Sequence, residues 1–356
     1  MRIGVPRETK TLEGRVALVP AAAGDLVKRG HEVWLEKDAG IKSGFSDEEY
    51  TRLGVNIAAD AAALYEKGEL IVKVKEPIAG DLQHLRKDHL LFCYLHLAAE
   101  PELTRKLLEI GLTGVAFETV ELPNGELPLL APMSIIAGKI ATQVGTTLLH
   151  QPQGGKGKLL GGLPSTERGK VVVFGAGKAG GAAAALAAAG GANVVVFEMR
   201  ADRMDEMMAL GPNVTTLYPY HDVVAREVAT ADLVVGAVLV TGAKAPRVLT
   251  REMLKGMQDG SVVVDISIDQ GGCFETSRPT SWKEPTYVEE GVTHFCVTNM
   301  PGAVPQTSSQ AICAAILPWV NKLAAGSEWR NNQALVRGIN VEGGELVHPA
   351  LQGMTL

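Results

Sequence analysis

The sequence lacks the features that mark disulfide-stabilised, metal-binding and membrane proteins. Its four cysteines, Cys93, Cys273, Cys296 and Cys313, form no C-x-x-C pair and match no zinc spacing. No uninterrupted apolar run reaches the roughly 18 residues of a membrane span, and the N-terminus MRIGVPRETK has no apolar signal core. We therefore expect reduced thiols, no metal site and a cytoplasmic location without membrane attachment.

Blocks of positive charge are missing as well. The chain has 34 Lys and Arg against 40 Asp and Glu, a net charge of −6, so nothing favours binding to nucleic acid or to an anionic membrane. With 356 residues and 46% hydrophobic content, the chain is long enough to build two globular domains with sizeable cores.

One stretch, Lys170 to Glu198, has the order strand, glycine loop, helix, strand and acid. An apolar run leads into Gly175, Gly177 and Gly180, spaced G-x-G-x-x-G, and an alanine-rich helical run follows. A second apolar run then ends at Glu198, 23 residues after Gly175. This order predicts a dinucleotide-binding βαβ unit.

Each part of that unit has a separate task. Gly175 allows a tight turn, Gly177 lets a pyrophosphate approach the backbone, and Gly180 lets the helix pack closely on the strand. The helix N-terminus attracts the phosphates. Glu198 can bind a ribose 2′-hydroxyl and would repel a 2′-phosphate, which favours NAD over NADP. In a chain with 40 glycines the spacing alone is also typical of a packed turn, so the flanking elements carry the prediction.

Strands alternate with helices through the first 120 residues, which predicts a second parallel sheet without a glycine fingerprint. A long helix near 132–149, capped by Ser134 or entered through Pro132, connects the two domains, and a helix at 306–325 returns the chain to the first. We predict an α/β fold with two Rossmann-like doubly wound parallel-sheet domains, the NAD domain being inserted into a discontinuous substrate domain. The predicted ranges are 1–130 for the first part of the substrate domain, 131–306 for the NAD domain and 307–356 for the part that completes the substrate domain.

Four polar residues are candidates for chemistry. Lys75 and His96 end apolar strands, and Arg15 lies in the loop after the first strand, so all three are expected at one sheet edge. Arg15 and Lys75 together could hold a carboxylate, although each alone is more typical of a surface cation. His96 could act as an acid or base or be structural. Asp269 follows a buried strand and could face the crevice between the domains or simply form a turn.

Eight segments together resemble the L-alanine dehydrogenase family, which also includes transhydrogenase alpha subunits. Besides the glycine loop they are MRIGVPRETK with EGRVALVPA, VKVKEP, FCYLHLA, APMSIIAG, GAVLVTGAKAP, VVVDISIDQGGCFETSRPT and VTNMPGAVPQTSS. The likeness runs from residue 1 to about residue 325.

The resemblance implies NAD-dependent, reversible conversion of L-alanine to pyruvate and ammonium, in a homohexamer. It implies substrate-carboxylate contacts at Arg15 and Lys75, and catalytic roles for His96 and Asp269. The implied cofactor contacts fall on Ser134, Lys178, Ala179, Glu198, Arg203, Val238, Leu239, Ile266, Asp269, Arg278, Asn299 and Met300.

Three positions depart from the family pattern. Glu198 stands where the family more often has Asp, Lys178 where it usually has a small apolar residue, and Pro219 where a serine lies near the adenosine. Three other functions are compatible with the fold. The first is an NAD-binding transhydrogenase subunit with membrane partners, the second is a non-catalytic NAD-binding protein, and the third is another amino- or opine-forming dehydrogenase of related fold. The presence of both His96 and Asp269 argues against the first, and four intact polar positions argue against the second.

Overall fold

The computed structural model describes residues 1–238 and 245–354, which form two compact units. Unit 1 consists of Met1–Met133 together with the chain from Gly302 onward, and unit 2 is Ser134–Pro301. Unit 1 is therefore built from two separate parts of the chain, whereas unit 2 is one continuous segment.

The first part of unit 1 alternates strands and helices. They are β1 (Arg2–Val5), α1 (Pro20–Lys28), β2 (Glu32–Glu36), α2 (Asp47–Thr51), β3 (Asn56–Ala58), α3 (Ala61–Lys67), β4 (Leu70–Val72), α4 (Ala79–Leu82), β5 (Leu90–Cys93), α5 (Pro101–Ile110) and β6 (Thr113–Ala116). Helix α6 (Ala131–Leu148) leads the chain from unit 1 into unit 2.

Unit 2 repeats this alternation, and the returning chain completes unit 1. Unit 2 contains β7 (Lys170–Phe174), α7 (Lys178–Ala189), β8 (Asn193–Phe197), α8 (Ala201–Met208), β9 (Val214–Leu217), α9 (His221–Ala229), β10 (Leu233–Gly236), α10 (Arg251–Lys255), β11 (Val262–Asp265), β12 (Thr286–Glu289) and β13 (Val292–Phe295). The return to unit 1 adds α11 (Pro305–Ala324), α12 (Gln333–Arg337), β14 (Ile339–Glu342) and β15 (Glu345–Leu346).

Each unit has one twisted sheet of the doubly wound type. The sheet of unit 1 runs β3-β2-β1-β4-β5-β6-β14-β15, and that of unit 2 runs β9-β8-β7-β10-β11-β13-β12. The first six strands of each are parallel, and the added strands β14, β15 and β12 are antiparallel. Ligands of such sheets bind where the strand order reverses, which is between β1 and β4 in unit 1 and between β7 and β10 in unit 2. The predicted fold class is confirmed.

The central strands are apolar on both faces because helices cover both sides of a parallel sheet. Strand β7 illustrates this, since Val171, Val172 and Val173 have no exposed surface. Each fully buried side chain of this kind stabilises the fold by about 1.5–3 kcal/mol. The facing helix α7 buries small residues, including Ala183 and Ala184, which let helix and strand approach closely.

Several element ends differ from the sequence prediction. Helix α6 begins at Ala131, so Ser134 lies inside the helix and Pro132 occupies its first turn, where its fixed φ is favourable. Helix α11 likewise begins at Pro305. Strands β4 and β5 end at Val72 and Cys93, which places Lys75 and His96 in the loops just beyond them.

Candidate active site

Arg15 lies in the long loop after β1, and its guanidinium is buried with only 2% of its surface exposed. Its Nε and Nη2 donate to the two carboxylate oxygens of Glu13 at 2.6 and 2.5 Å, and Nη1 lies 3.1 Å from Sδ of Met133. Burial alone would lower the pKa of Arg15, but the hydrogen bonds and charge of Glu13 outweigh it and the pKa is raised. The guanidinium is therefore a fixed, permanently charged group.

Lys75 lies three residues after β4, and its Nζ is 3.4 Å from Oε2 of Glu76. Its backbone N–H donates to Oε1 of Glu8 at 3.2 Å, and the N–H of Val74 donates to the same oxygen at 2.7 Å. The other oxygen of Glu8 lies 3.4 Å from Nζ of Lys73. Glu8 thus fixes the backbone that carries Lys75.

Lys73 is a buried cation, with 1% of its side chain exposed. Its Nζ lies 3.3 Å from Oδ1 of Asp81, which also accepts the hydroxyl of Tyr65 at 2.8 Å. Burial opposes the charge of Lys73, but Glu8 and Asp81 outweigh it and raise the pKa of the ammonium. Burial in turn raises the pKa of Glu8. Lys73 is therefore a buried counter-ion of Glu8 and Asp81, whereas the side chain of Lys75 is 14% exposed.

His96 follows β5 in a left-handed backbone conformation, with φ 49° and ψ 35°. Its backbone N–H donates to Oε1 of Glu118 at 2.6 Å. Its ring stacks on the ring of Tyr94, with centroids 5.6 Å apart and planes 4° apart. The Tyr94 hydroxyl donates to the carbonyl of Leu129 at 2.6 Å, and burial raises the pKa of that hydroxyl.

Arg15, Lys75 and His96 share neighbours at the carboxyl edge of the unit 1 sheet. Arg15 acts electrostatically on both Glu8, which binds the Lys75 backbone, and Tyr94, which stacks on His96. A cavity of about 330 Å³ beside Arg15 is lined by Arg7, Glu8, Glu13, Gly14, Arg15, Asp38, Ala39, Ile41 and Lys42. Of the three candidates, Arg15 is the one among these lining residues, and Lys75 and His96 lie in the loops after the neighbouring strands β4 and β5. Two cations and an imidazole on one sheet edge are groups that can bind a small carboxylate and move a proton.

Sequence reasoning missed the carboxylates that hold these groups. Glu8 and Glu13 lie in the loop after β1, Asp81 lies in the short helix α4 and Glu118 follows β6, and their partners lie up to 67 residues away. The pairing of Glu13 with Arg15 is the local one, since the two residues are two positions apart. Lys73, which alternates with Lys75 in the segment VKVKEP, is a buried counter-ion of Glu8 and Asp81 in the structure.

The glycine loop of unit 2 has the geometry that its spacing predicts. Gly175 has φ +90°, and a Cβ there would lie 2.7 Å from the carbonyl oxygen of Ala237, across the switch point. A Cβ on Gly180 would lie 1.8 Å from the oxygen of Gly175. Gly177 caps helix α7, and a Cβ there would meet nothing within 4 Å. The loop therefore leaves open space at the residue that a pyrophosphate would approach.

Glu198 contacts the glycine loop directly. Its Oε2 accepts the backbone N–H of Ala176 at 2.8 Å, and its Oε1 accepts those of Met199 and Arg200 at 2.7 and 3.1 Å. A carboxylate oxygen has two lone pairs, so the side chain keeps capacity for ribose hydroxyls. Lys178 is exposed at the first position of α7.

Asp269 lies in the turn Ile266–Gln270 that follows β11. This segment is organised by Asp265, which is fully buried and accepts the N–H groups of Ser267 and Cys273 at 2.9 and 2.8 Å and the hydroxyl of Ser277 at 2.5 Å. Asp269 belongs to unit 2, whereas the other three candidates belong to unit 1.

The remaining predicted cofactor contacts are distributed along unit 2. Ser134 and Ala179 lie in helices α6 and α7, and Arg203 lies in α8, 2.7 Å from Glu206. Val238 accepts the hydroxyl of Ser267 through its carbonyl at 2.8 Å, whereas Leu239 lies outside the described residues.

Four further predicted positions complete this set. The guanidinium of Arg278 lies 3.9 Å from the ring centre of Tyr287, Asn299 has φ 56°, and Met300 is buried. Ile266 is the first residue of the turn after β11.

The open space at Gly177, the helix N-terminus behind it and the carboxylate of Glu198 together fit a dinucleotide. Among residues 1–238 and 245–354, no three His, Cys, Asp or Glu side chains are grouped so as to hold a metal ion. Within the same ranges, no helix combines the length and apolar character needed to cross a membrane.

Comparison with known families matches almost the entire chain. Residues 4–137 match the family described as alanine dehydrogenase/PNT, N-terminal domain, and residues 141–349 match alanine dehydrogenase/PNT, C-terminal domain. The chain is 46% identical to the alanine dehydrogenase of Geobacillus stearothermophilus, covering 99% of this chain and 95% of that protein. It is 44% identical to the alanine dehydrogenase of Mycobacterium tuberculosis, covering 98% and 95%.

Two solved structures also superpose on almost the entire chain. An L-alanine dehydrogenase structure superposes with a TM-score of 0.96 at 47% identity, covering 99% of this chain and 98% of that one. A transhydrogenase from Sinorhizobium meliloti superposes with a TM-score of 0.85 at 25% identity, covering 98% and 100%.

Proposed function

The chain belongs to the alanine dehydrogenase/PNT family, and on that premise we propose that it catalyses the NAD-dependent, reversible oxidative deamination of L-alanine to pyruvate and ammonium. The observation that carries the proposal is the position of Arg15, Lys75 and His96 in the loops that follow β1, β4 and β5, three neighbouring parallel strands of one sheet. In a chain 46% identical to an alanine dehydrogenase, this edge offers a carboxylate clamp beside an acid–base group.

Arg15 and Lys75 form the proposed clamp for the carboxylate of alanine or pyruvate. Glu13 fixes the orientation of the Arg15 guanidinium, and Glu8 fixes the backbone at Lys75. Because both cations are held before substrate arrives, little conformational freedom is lost on binding. The clamp sets the orientation of the substrate Cα–H bond, which is one of the larger catalytic contributions.

His96 is the proposed acid–base residue. Bound NAD supplies the chemistry of accepting the hydride that leaves Cα. Water then adds to the resulting iminium carbon while His96 removes a proton from the water, and the imidazolium returns that proton to the substrate nitrogen. As the C–N bond breaks, His96 passes the remaining hydroxyl proton to the departing ammonia, which gives pyruvate and ammonium. Asp269 is proposed to orient the water and to stabilise positive charge on the substrate nitrogen.

The cofactor assignment rests on Gly175, Gly177, Gly180 and Glu198. A carboxylate at position 198 favours a ribose 2′-hydroxyl and disfavours a 2′-phosphate, so NAD is preferred. We extend the proposal to a cytoplasmic homohexamer. The transhydrogenase alternative is less well supported, because identity falls from 47% for the L-alanine dehydrogenase structure to 25% for the transhydrogenase.

The test is the oxidation of NADH, followed by its absorbance, with pyruvate and ammonium together. Pyruvate alone and NADPH in place of NADH are the controls. The proposal expects oxidation that requires both ammonium and pyruvate and is much slower with NADPH. Tight binding of NADH without any ammonium-dependent oxidation would refute it, and hydride exchange between two nucleotides would then support the transhydrogenase alternative.

A further inference from the structure

Glu118 lies beside His96 because of how two neighbouring strands are aligned. Strands β5 and β6 are parallel, and their last residues, Cys93 and Ala116, are directly paired. The chain continues to His96 after one strand and to Glu118 after the other. Both side chains therefore belong to the carboxyl edge of the unit 1 sheet, and no role in the reaction has so far been given to Glu118.

The Glu118 carboxylate makes several contacts with the loop that carries His96. It accepts the backbone N–H of Leu95, at 3.2 Å from Oε1 and 3.3 Å from Oε2, and the N–H of His96 at 2.6 Å. Its Oε1 also lies 3.9 Å from Nδ1 of the His96 ring. That last distance is too long for a hydrogen bond but short enough for a charge interaction once the ring is protonated.

The backbone at His96 needs such support. A left-handed conformation at a residue other than glycine costs of order 1 kcal/mol or more, so it persists only where other contacts fix it. Two consecutive N–H groups bound to one carboxylate are such a contact. The stacked ring of Tyr94 fixes the imidazole from the other direction, and Tyr94 packs edge-on against Phe117 at 5.0 Å.

We propose that Glu118 is a positioning residue for His96: it holds the strained backbone at residues 95 and 96 and presents its charge to Nδ1, so that Nε2 exchanges protons with the substrate. This inference rests on the proposed function. When His96 takes a proton from water at Nε2, the positive charge forms 3.9 Å from a carboxylate that is 15% exposed. When the imidazolium gives a proton to the departing nitrogen, that interaction is released and the cycle closes.

Two substitutions separate the parts of this role. Glu118→Gln keeps an oxygen that can accept the two N–H groups but removes the charge, whereas Glu118→Ala removes both. We expect kcat to fall about tenfold in Glu118→Gln and about 100-fold in Glu118→Ala, since a displacement of about 1 Å can cost that much. The KM for pyruvate and the Kd for NADH should change less than about threefold, because the clamp and the nucleotide site are untouched.

The matched control is Glu121→Gln, which makes the same change three residues away. Glu121 is 42% exposed and lies 3.9 Å from Arg337, so its loss should leave kcat unchanged. If Glu118→Ala does not fold, the near-isosteric Glu118→Gln still decides the matter. A normal kcat in Glu118→Gln, or a rise in KM and NADH Kd in proportion to the loss of kcat, would overturn the proposal.

A double variant tests whether Glu118 acts through His96. If it does, adding Glu118→Gln to His96→Ala should lower kcat by less than about twofold, because the group being positioned is already absent. Effects that multiply instead would show an independent role and overturn the proposal. Failure of the proposed function is recognised separately, because the wild-type protein would then show no ammonium-dependent oxidation of NADH.

Discussion

Gly177 and Gly180 make a paired prediction, because the structure gives the same substitution opposite consequences three residues apart. In Gly177→Ala the new methyl group would meet no atom within 4 Å, and the backbone there, φ −69° and ψ −170°, is open to alanine. The small loss of cap preference and the lower entropy of the unfolded chain nearly cancel, at about 0.5–1 kcal/mol each. Thermal stability should therefore be unchanged.

Gly177→Ala should weaken NADH binding even though it leaves thermal stability unchanged. The methyl group occupies the space at which a pyrophosphate approaches the N-terminus of α7, so at least one charge-assisted hydrogen bond is lost or stretched. Such a bond contributes about 1.5–3 kcal/mol, which corresponds to an increase of about 10- to 100-fold in the Kd for NADH. Titration by NADH fluorescence measures it.

Gly180→Ala should behave in the opposite way. Its methyl group would lie 1.8 Å from the oxygen of Gly175, whereas real Cβ contacts essentially never fall under 3.0 Å. The backbone of the turn or of α7 must move by more than 1 Å, at a cost of about 1–3 kcal/mol or more. That corresponds to a fall in Tm of roughly 2–10 °C for a unit of this size.

Gly80→Ala is the control for both variants, since a methyl group there also meets nothing within 4 Å and Gly80 lies in α4 of unit 1. It should change neither the Tm nor the Kd for NADH. The reasoning would be refuted if Gly177→Ala lost as much stability as Gly180→Ala, or if it bound NADH as tightly as the wild-type protein.

Three further predictions follow from individual side chains. His96→Ala should lower kcat by about two to four orders of magnitude while NADH binds normally, and a nearly unchanged kcat in the ammonium-dependent assay would remove His96 from the reaction. Lys75→Ala should raise the KM for pyruvate by about 10- to 100-fold through loss of a charged contact, and a loss of NADH affinity in a fluorescence titration would contradict the clamp. Burial lowers the pKa of His294, so the ring stays neutral in the folded state while the unfolded chain takes up a proton below its ordinary pKa of 6.5. Stability is therefore lost as the pH falls below 6.5, by up to about 1.4 kcal/mol per pH unit, and His294→Gln should lose less between pH 7 and pH 5.5 in thermal melts. If the wild-type protein and His294→Gln lose the same stability between pH 7 and pH 5.5, other titrating groups cause the loss.

The sequence was sufficient to predict the doubly wound fold because its signals are local. The apolar run, the three glycines and the alanine-rich helix of the nucleotide unit are contiguous, and each restricts its own backbone. Helix starts were less predictable: a serine such as Ser134 is a good cap, but Pro132 determines where α6 can begin. The segment after α11 has little hydrophobic periodicity in the sequence, yet β14 pairs with β6 because that sheet edge offers unpaired backbone groups.

In the candidate site, too, the residues marked by local sequence could be predicted and those that depend on distant contacts could not. The candidates Arg15, Lys75 and His96 could be named from residue type and position, but their supporting acids could not. Glu8 reaches Lys73 across 65 residues, and Glu118 reaches His96 across 22. Neither pair follows a characteristic spacing along the sequence, because each depends on which strands become neighbours in the folded sheet.

The returning helix α11 has a consequence for how the protein is made. The N–H of Val16, next to Arg15, donates to the hydroxyl of Ser309, and the N–H of Val19 donates to Sγ of Cys313. A ribosome therefore releases the whole of unit 2, a continuous segment, before it releases the residues that fix the Arg15 loop. A chain that stops before α11 contains all of unit 2 but lacks the two partners that hold the backbone on either side of the Arg15 loop.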